Sequence, residues 1–105
     1  MRAEMANYRV GQLVHHKLFD YRGVVVDVDP SFQQSDAWYL LMARSKPDKD
    51  QPWYHVLVHD TDYVTYVAEQ NLEPDFSEAP INHPEINQYF GTMKNGMYYS
   101  RRPNN

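Results

Sequence analysis

The chain has 105 residues, 42% of them hydrophobic, which suits one domain with a single modest core. It has no cysteine, so disulfides and thiolate nucleophiles are excluded, and zinc would depend on histidine and carboxylate ligands alone. The net charge of −4 is uneven, since residues 31–79 carry nine acidic and three basic side chains. We therefore expect that only the two ends of the chain offer a cationic surface for phosphate groups.

No stretch approaches the roughly 20 apolar residues of a membrane helix, and residues 1–8 lack the apolar segment of a secretory signal. We therefore expect a soluble, cytoplasmic protein without membrane contact. The sequence contains no P-loop, GxGxxG or GxSxG motif. We predict no catalytic residue, no cofactor and no enzymatic activity.

The first predicted elements are two strands, Val10 to His16 and Val24 to Asp29, separated by a turn around residues 19–23. Alternation along the second strand predicts that Val24, Val26 and Val28 share one face. Asp27 and Asp29 would share the other face, about 7 Å apart, which we interpret as an acidic strand end rather than a carboxylate pair.

A short helix is predicted from Ser35 to Arg44, with Ser35 or Asp36 as its N-cap. Its apolar stripe would consist of Trp38, Leu41 and Met42. A polar loop with two prolines follows at residues 45–52.

Trp53 to His59 and Tyr63 to Ala68 are predicted to form a hairpin, with Trp53 in the core. Tyr54 and Tyr66 would pair across the two strands. His55 and His59 lie about 13 Å apart on an extended strand and cannot share one zinc ion, so no metal site is predicted.

The segment after the hairpin is predicted to form one turn of tight helix or a final short strand at residues 69–72. An exposed linker is expected over 73–82, then a short helix beginning near Pro84 and a turn at Asn95-Gly96. These short strands and turns predict an all-β fold, a small β-barrel or roll with one short helix. The boundaries would be an arm at 1–7, the β domain at 8–79 and a partly ordered C-terminal extension at 80–105.

Three groups of residues are candidates for binding a partner. Cationic and aromatic side chains around the first turn could contact phosphates or bases, namely His15, His16, Lys17, Phe19, Tyr21 and Arg22. Basic residues near the aromatic run 97–99 could also bind DNA, namely Lys94, Arg101 and Arg102. The aromatic residues Trp53, Tyr54 and Tyr66 could contact a protein partner.

Three runs in order, at residues 21–30 (YRGVVVDVDP), 52–56 (PWYHV) and 65–72 (TYVAEQNL), make the chain similar to the HspQ/YccV-like family. The run HPEI at residues 83–86 is similar too, so that the resemblance covers about residues 8–90. It implies an SH3-like β-barrel, binding of hemimethylated DNA, a heat-shock role in proteolytic quality control, and a homotrimer. It implies no catalytic site.

Two functions follow as hypotheses. The first is a DNA-binding module for duplex DNA, in particular hemimethylated GATC sites, although a net charge of −4 would repel DNA from much of the surface. The second is an adaptor in the stress response that presents client proteins to an ATP-dependent protease, since small β-barrels bind peptides through aromatic grooves or free sheet edges.

Overall fold

A computed structural model describes residues 5–100 of the chain. One antiparallel sheet has the order β4-β3-β2-β1-β5, and its strands are β1 (Leu13–His16), β2 (Arg22–Asp29), β3 (Trp53–Val58), β4 (Val64–Ala68) and β5 (Leu72–Pro74). The hairpin of β6 (Phe90–Lys94) and β7 (Met97–Ser100) is a second sheet. Two α-helices, α1 (Asp36–Met42) and α2 (Ile86–Tyr89), and one turn of 3-10 helix at Glu69–Asn71, as predicted for residues 69–72, complete the described fold. The all-β prediction is confirmed, and no described helix is long and apolar enough to cross a membrane.

Strand β2 is present as predicted, but its two faces are not those that simple alternation predicts. A bulge between Val25 and Asp27 shifts the register against β3. Val24 and Val26 consequently pack in one apolar cluster, whereas Val28 lies against the other cluster, together with Val25. The prediction that Val28 shares a face with Val24 and Val26 was wrong, because one extra residue in a strand moves the following side chains to the opposite face.

Helix α1 begins after Ser35, whose Oγ accepts a hydrogen bond from the backbone N–H of Trp38 at 3.1 Å. Its predicted apolar stripe was wrong. Trp38 packs against the buried aromatic cluster, but Leu41 and Met42 are 78% and 60% exposed. The aromatic rings of Trp38 and Tyr39 dominate the contact with the sheet, and this orientation turns Leu41 and Met42 outward.

The C-terminal part of the described chain contributes to the main core. Side chains from both sides of residue 80 form one buried cluster, whose members are Leu13, Val24, Val26, Leu57, Ile81, Phe90 and Tyr98. The Tyr98 hydroxyl accepts a hydrogen bond from the N–H of Ile81 at 2.9 Å. The segment 73–82 is therefore not simply an exposed linker, since it also pairs with β1 through β5.

Gly11 joins the C-terminal hairpin to the main sheet. Its N–H donates to the Val25 carbonyl, its carbonyl accepts from the Tyr98 N–H, and its φ is +95°. A Cβ at this position would lie 2.1 Å from the Tyr98 carbonyl oxygen. We expect Gly11→Ala to lower the free energy of unfolding by about 3 kcal/mol, measured by urea denaturation. The positive φ strains the alanine backbone, and the added Cβ overlaps with the Tyr98 carbonyl oxygen.

Gly96→Ala is the matched control, since Gly96 also has a positive φ of +76°. The nearest atom to its added Cβ belongs to the flexible side chain of Glu78, so a cost of only about 1 kcal/mol is expected. Equal losses for the two variants would contradict a specific clash at Gly11.

Candidate nucleic-acid interface

An open groove of about 290 Å³ lies beside β4, an edge strand of the sheet. All five residues of β4 line it, and the turn between β1 and β2 and the segment after α1 form the other side. The lining residues outside β4 are His16, Leu18, Phe19, Tyr21, Trp38, Met42, Ala43, Arg44, Ser45, Pro47, Trp53 and Asn71. The lining contains Arg44 and no carboxylate, in a protein whose net charge is −4.

Trp53 and Tyr66 are the stacked aromatic pair of the groove, with ring centroids 5.2 Å apart. Trp38 meets the Tyr66 ring edge-on at 5.5 Å. The Trp53 side chain is 1% exposed, which confirms its predicted core position, and its indole N–H has no acceptor among residues 5–100. The two Trp rings and Tyr66 thus give the groove a rigid aromatic wall.

Tyr66 is held by its hydroxyl, which donates to Asp29 Oδ2 at 2.7 Å and accepts from the Gln33 N–H at 3.0 Å. Burial, and then the hydrogen bond to Asp29, raise the pKa of the Tyr66 hydroxyl, so that it stays neutral. Asp29 also lies 3.4 Å from His55 Nε2. Possible ligand atoms of Asp27, Asp29 and His55 lie within 4.8 Å of one another. Of these three residues, Asp29 binds the Tyr66 hydroxyl and His55 contacts the Tyr66 ring at a centroid distance of 4.7 Å, so these two orient the ring.

The predicted cross-strand pair of Tyr54 and Tyr66 was wrong. The β3–β4 register places Tyr66 opposite His55 and Tyr54 opposite Val67, so the two tyrosines lie on different faces. Tyr54 is fully buried, and its hydroxyl donates to Glu69 Oε1 at 2.5 Å. Of the three aromatic residues considered for protein binding, Trp53 and Tyr66 line the groove and Tyr54 does not.

The turn between β1 and β2 is organised by His16. Its Nδ1 accepts hydrogen bonds from the backbone N–H groups of Leu18 and Phe19, both at 3.1 Å. The imidazole stacks on the Phe19 ring at 4.7 Å, and Phe19 remains 56% exposed. Nδ1 must be unprotonated to accept these bonds, so a neutral His16 holds an exposed aromatic ring in place.

This arrangement predicts opposite pH effects at His15 and His16. Burial, and then the charge of His15, lower the pKa of His16. Its contribution to stability is therefore present above the unfolded pKa of about 6.5 and is lost as the pH falls toward the folded value. Hydrogen bonds to Asp20 and Glu73 raise the pKa of His15. Its contribution is present below about pH 6.5 and is lost as the pH rises through the folded value.

Unfolding free energies at pH 5.5 and 7.5 test this prediction in the wild type, His16→Gln and His15→Gln. The difference between wild type and His16→Gln should shrink at the lower pH, whereas that for His15→Gln should grow. If both differences in unfolding free energy changed in the same direction between pH 7.5 and 5.5, the opposite roles of His15 and His16 would be contradicted.

Two of the predicted cations are already paired. Arg22 donates to Asp75 Oδ2 at 2.6 Å and to the Ala79 carbonyl at 2.5 Å, and only 23% of its side chain is exposed. His15 lies between Asp20 and Glu73, 2.7 Å from a carboxylate oxygen of each. Both side chains thus support the local structure, and contact with phosphates would compete with these bonds.

Lys17 and Arg44 are exposed, and neither side chain has a hydrogen-bond or ion-pair partner within the described chain. Asn71 connects their segments: its carbonyl accepts from the Lys17 N–H at 2.9 Å, and its side chain donates to Ser45 Oγ at 3.1 Å. The segments that carry Lys17 and Arg44 therefore meet at Asn71, which lines the groove together with Arg44. We call Lys17, Leu18, Phe19 and Arg44 the cationic lip.

Arg44 was not among the residues selected from the sequence, which had no signal that joins residue 44 to the first turn. Lys94 ends β6 and does not line the groove. Arg101 and Arg102 lie outside the described residues. The participation of these three residues in DNA binding stays a prediction.

The described residues thus form a small, β-dominated domain with an aromatic groove whose lining carries one arginine and no carboxylate. A family model described as hemimethylated DNA-binding protein YccV like matches residues 6–97. The chain therefore belongs to the YccV-like family, which confirms the resemblance inferred from its three sequence runs. The matched range includes both sides of the groove and most of the C-terminal hairpin.

Proposed function

We propose that this protein is a non-enzymatic DNA-binding module of the cytoplasm that contacts duplex DNA with its cationic lip. The observation that carries the proposal is a pair of cations without a partner in the described chain near the exposed Phe19 ring: Lys17 is two residues from Phe19, and Arg44 lines the groove together with it. Cations bind phosphates and position the protein, while an apolar group can read a base edge. The family description, hemimethylated DNA binding, supports this function.

Phe19 is the best candidate for contact with the methyl group of a hemimethylated GATC site. Such a methyl group lies in the major groove, where apolar side chains contact the similar methyl group of thymine. The Phe19 ring is 56% exposed and fixed against His16. Tyr21 is half-buried and its hydroxyl is bonded to Thr65 Oγ1 at 2.7 Å, so it is less able to reach a base.

Fluorescence anisotropy with unmethylated, hemimethylated and fully methylated GATC duplexes, at two salt concentrations, tests this proposal. The hemimethylated duplex should bind most tightly. Phe19→Ala should lower its affinity about fourfold, the equivalent of one buried methyl-sized group, and leave the salt dependence unchanged. If Phe19→Ala still distinguished the hemimethylated duplex from the other two as well as the wild type does, contact of Phe19 with the methyl group would be excluded. Weak binding that is equal for all duplexes and vanishes with salt would exclude methyl recognition.

A second candidate function is that of an adaptor between client proteins and an ATP-dependent protease during heat shock. The exposed apolar rim of the groove favours it, since Leu18, Met42 and Val64 are 46–60% exposed and line the groove. Exposed apolar surface of this kind is typical of binding sites for proteins. A pull-down from heat-shocked cells should recover a protease or client with the wild type and lose it with Met42→Asp. Recovery of neither would contradict the adaptor function.

The homotrimer implied by the family resemblance would present three cationic lips, and linked weak sites bind DNA more tightly than single ones. Sedimentation equilibrium measures the assembly directly. A monomer at micromolar concentration would contradict the trimer.

A further inference from the structure

The outer edge of β4 is a row of backbone groups without a strand partner in the described fold. At one end of the β3–β4 ladder the Val58 N–H donates to the Tyr63 carbonyl, and at the other the Glu69 N–H donates to the Pro52 carbonyl. Hydrogen-bonded pairs alternate along an antiparallel ladder, so Thr65 and Val67 direct their backbone groups toward β3. The residues that direct theirs away from β3 are Val64, Tyr66 and Ala68.

Most of these outward groups are available for pairing. Within residues 5–100 the N–H and C=O groups of Val64 and Tyr66 and the N–H of Ala68 have no backbone partner, whereas the Ala68 carbonyl is used by the 3-10 turn at Glu69–Asn71. All three residues line the groove. Natural sheets usually protect such edges with charged side chains, proline or bulges. β4 has none of these protections: its sequence is VTYVA and its pairing with β3 is regular. The edge is therefore a template for another strand.

We propose that the edge of β4 binds an extended segment of a partner polypeptide, which extends the sheet by one strand. Its apolar side chains would contact Trp38 and Tyr66, and an acidic residue would lie beside Arg44. Charge supports this occupant, because the groove lining has one arginine and no carboxylate. Binding of peptides by strand addition goes beyond the proposed DNA binding and does not depend on it.

A polypeptide fits this edge better than a nucleic acid does. The outward N–H and C=O groups repeat every second residue, about 7 Å apart, and a peptide strand presents donors and acceptors with the same repeat. A groove of about 290 Å³ is slightly smaller than the usual ligand pocket of about 300–1,000 Å³. It therefore suits the side chains of a short segment. The buried Trp53 indole N–H, which has no acceptor among the described residues, belongs to the same groove.

The test begins with a displayed library of random octapeptides selected on the full chain. We expect enriched sequences with apolar residues at alternating positions and a net negative charge. The best of them, labelled with fluorescein, is the probe for anisotropy, and NMR hydrogen exchange on the wild type locates its site. The amides of Val64, Tyr66 and Ala68 should exchange rapidly in the free protein and become protected by the probe. Thr65 and Val67 should be protected in both states.

Val64→Pro removes one outward N–H and spares the bonds to β3, as proline is tolerated at such positions of edge strands. It should lower the affinity for the probe about tenfold, because one strand hydrogen bond is lost and its partner group in the peptide stays unpaired. Val64→Thr keeps the N–H and should bind almost as the wild type does. Both variants should keep their discrimination among GATC duplexes, which separates this site from the cationic lip.

Three results would overturn the proposal: no enriched octapeptide, protection at amides other than those of the β4 edge, or unchanged affinity in a folded Val64→Pro variant. Equal protection of the same amides by a GATC duplex would assign the edge to nucleic acid instead. The exchange measurement uses the wild type, so it decides the matter even if Val64→Pro does not fold.

Discussion

Replacing both Lys17 and Arg44 by alanine is expected to weaken binding to all GATC duplexes by more than about tenfold. The slope of log K against the logarithm of the salt concentration should become less negative by about 1.8. The physical reason is the loss of two phosphate contacts and of the counterions that they release. Both side chains lack a partner in the described chain, so their removal breaks no internal ion pair. Anisotropy titrations at several salt concentrations measure the affinity and the slope together.

The matched control is the double variant Arg9→Ala and Gln88→Glu, which changes the net charge by the same two units. Both residues are exposed and neither lines the groove. We expect a small loss of affinity and almost the wild-type slope. Equal losses in the two double variants would mean that DNA responds only to overall charge, which would contradict the cationic lip as the binding site.

Trp53→Ala is expected to have the largest effect on stability, a loss of about 3–5 kcal/mol. The ring is 1% exposed and lies between Tyr66, Trp38 and Phe32, at centroid distances of 5.0–6.2 Å. Its removal leaves a cavity beneath β4 and takes away the stacking partner of Tyr66. Urea denaturation measures the loss, which is a large part of the roughly 5–15 kcal/mol that stabilises a typical domain.

Trp53→Phe is the matched control because it keeps a six-membered aromatic ring and removes the indole N–H together with only part of the ring volume. That N–H has no acceptor in the described structure, so its loss leaves no partner unsatisfied. We expect a loss below about 2 kcal/mol. If Trp53→Ala were as mild, the ring would not be the main support of the groove.

The cationic lip and the β4 edge belong to the same groove but use different chemistry. Arg44, with Lys17 in the neighbouring segment, offers charge, while Val64, Tyr66 and Ala68 offer backbone groups along one side. Ligands of the two sites would overlap near Arg44. A GATC duplex at saturating concentration is therefore expected to lower the affinity of the protein for the acidic octapeptide. If the duplex left the affinity for the octapeptide unchanged, the two sites would lie apart.

Local chemistry explains which features the sequence predicted correctly. The β-branched run of β2, the hairpin of β3 and β4, the cap at Ser35 and the turn at Asn95-Gly96 depend on neighbouring residues, and all are present. Trp53 was correctly placed in the core because large aromatic side chains gain most from burial. The family was identified from runs of consecutive residues for the same reason.

The site, in contrast, depends on residues far apart in the chain. Arg22 resembled a DNA-binding cation, yet Asp75, 53 positions away, neutralises it. Arg44 has no motif of its own and joins Lys17 only through Asn71. Composition and local pattern thus determined the all-β class, most strands and the family. The tertiary structure alone decided the bulge in β2, the exposed side of α1 and the set of free cations, because each depends on packing or charge pairing between distant segments.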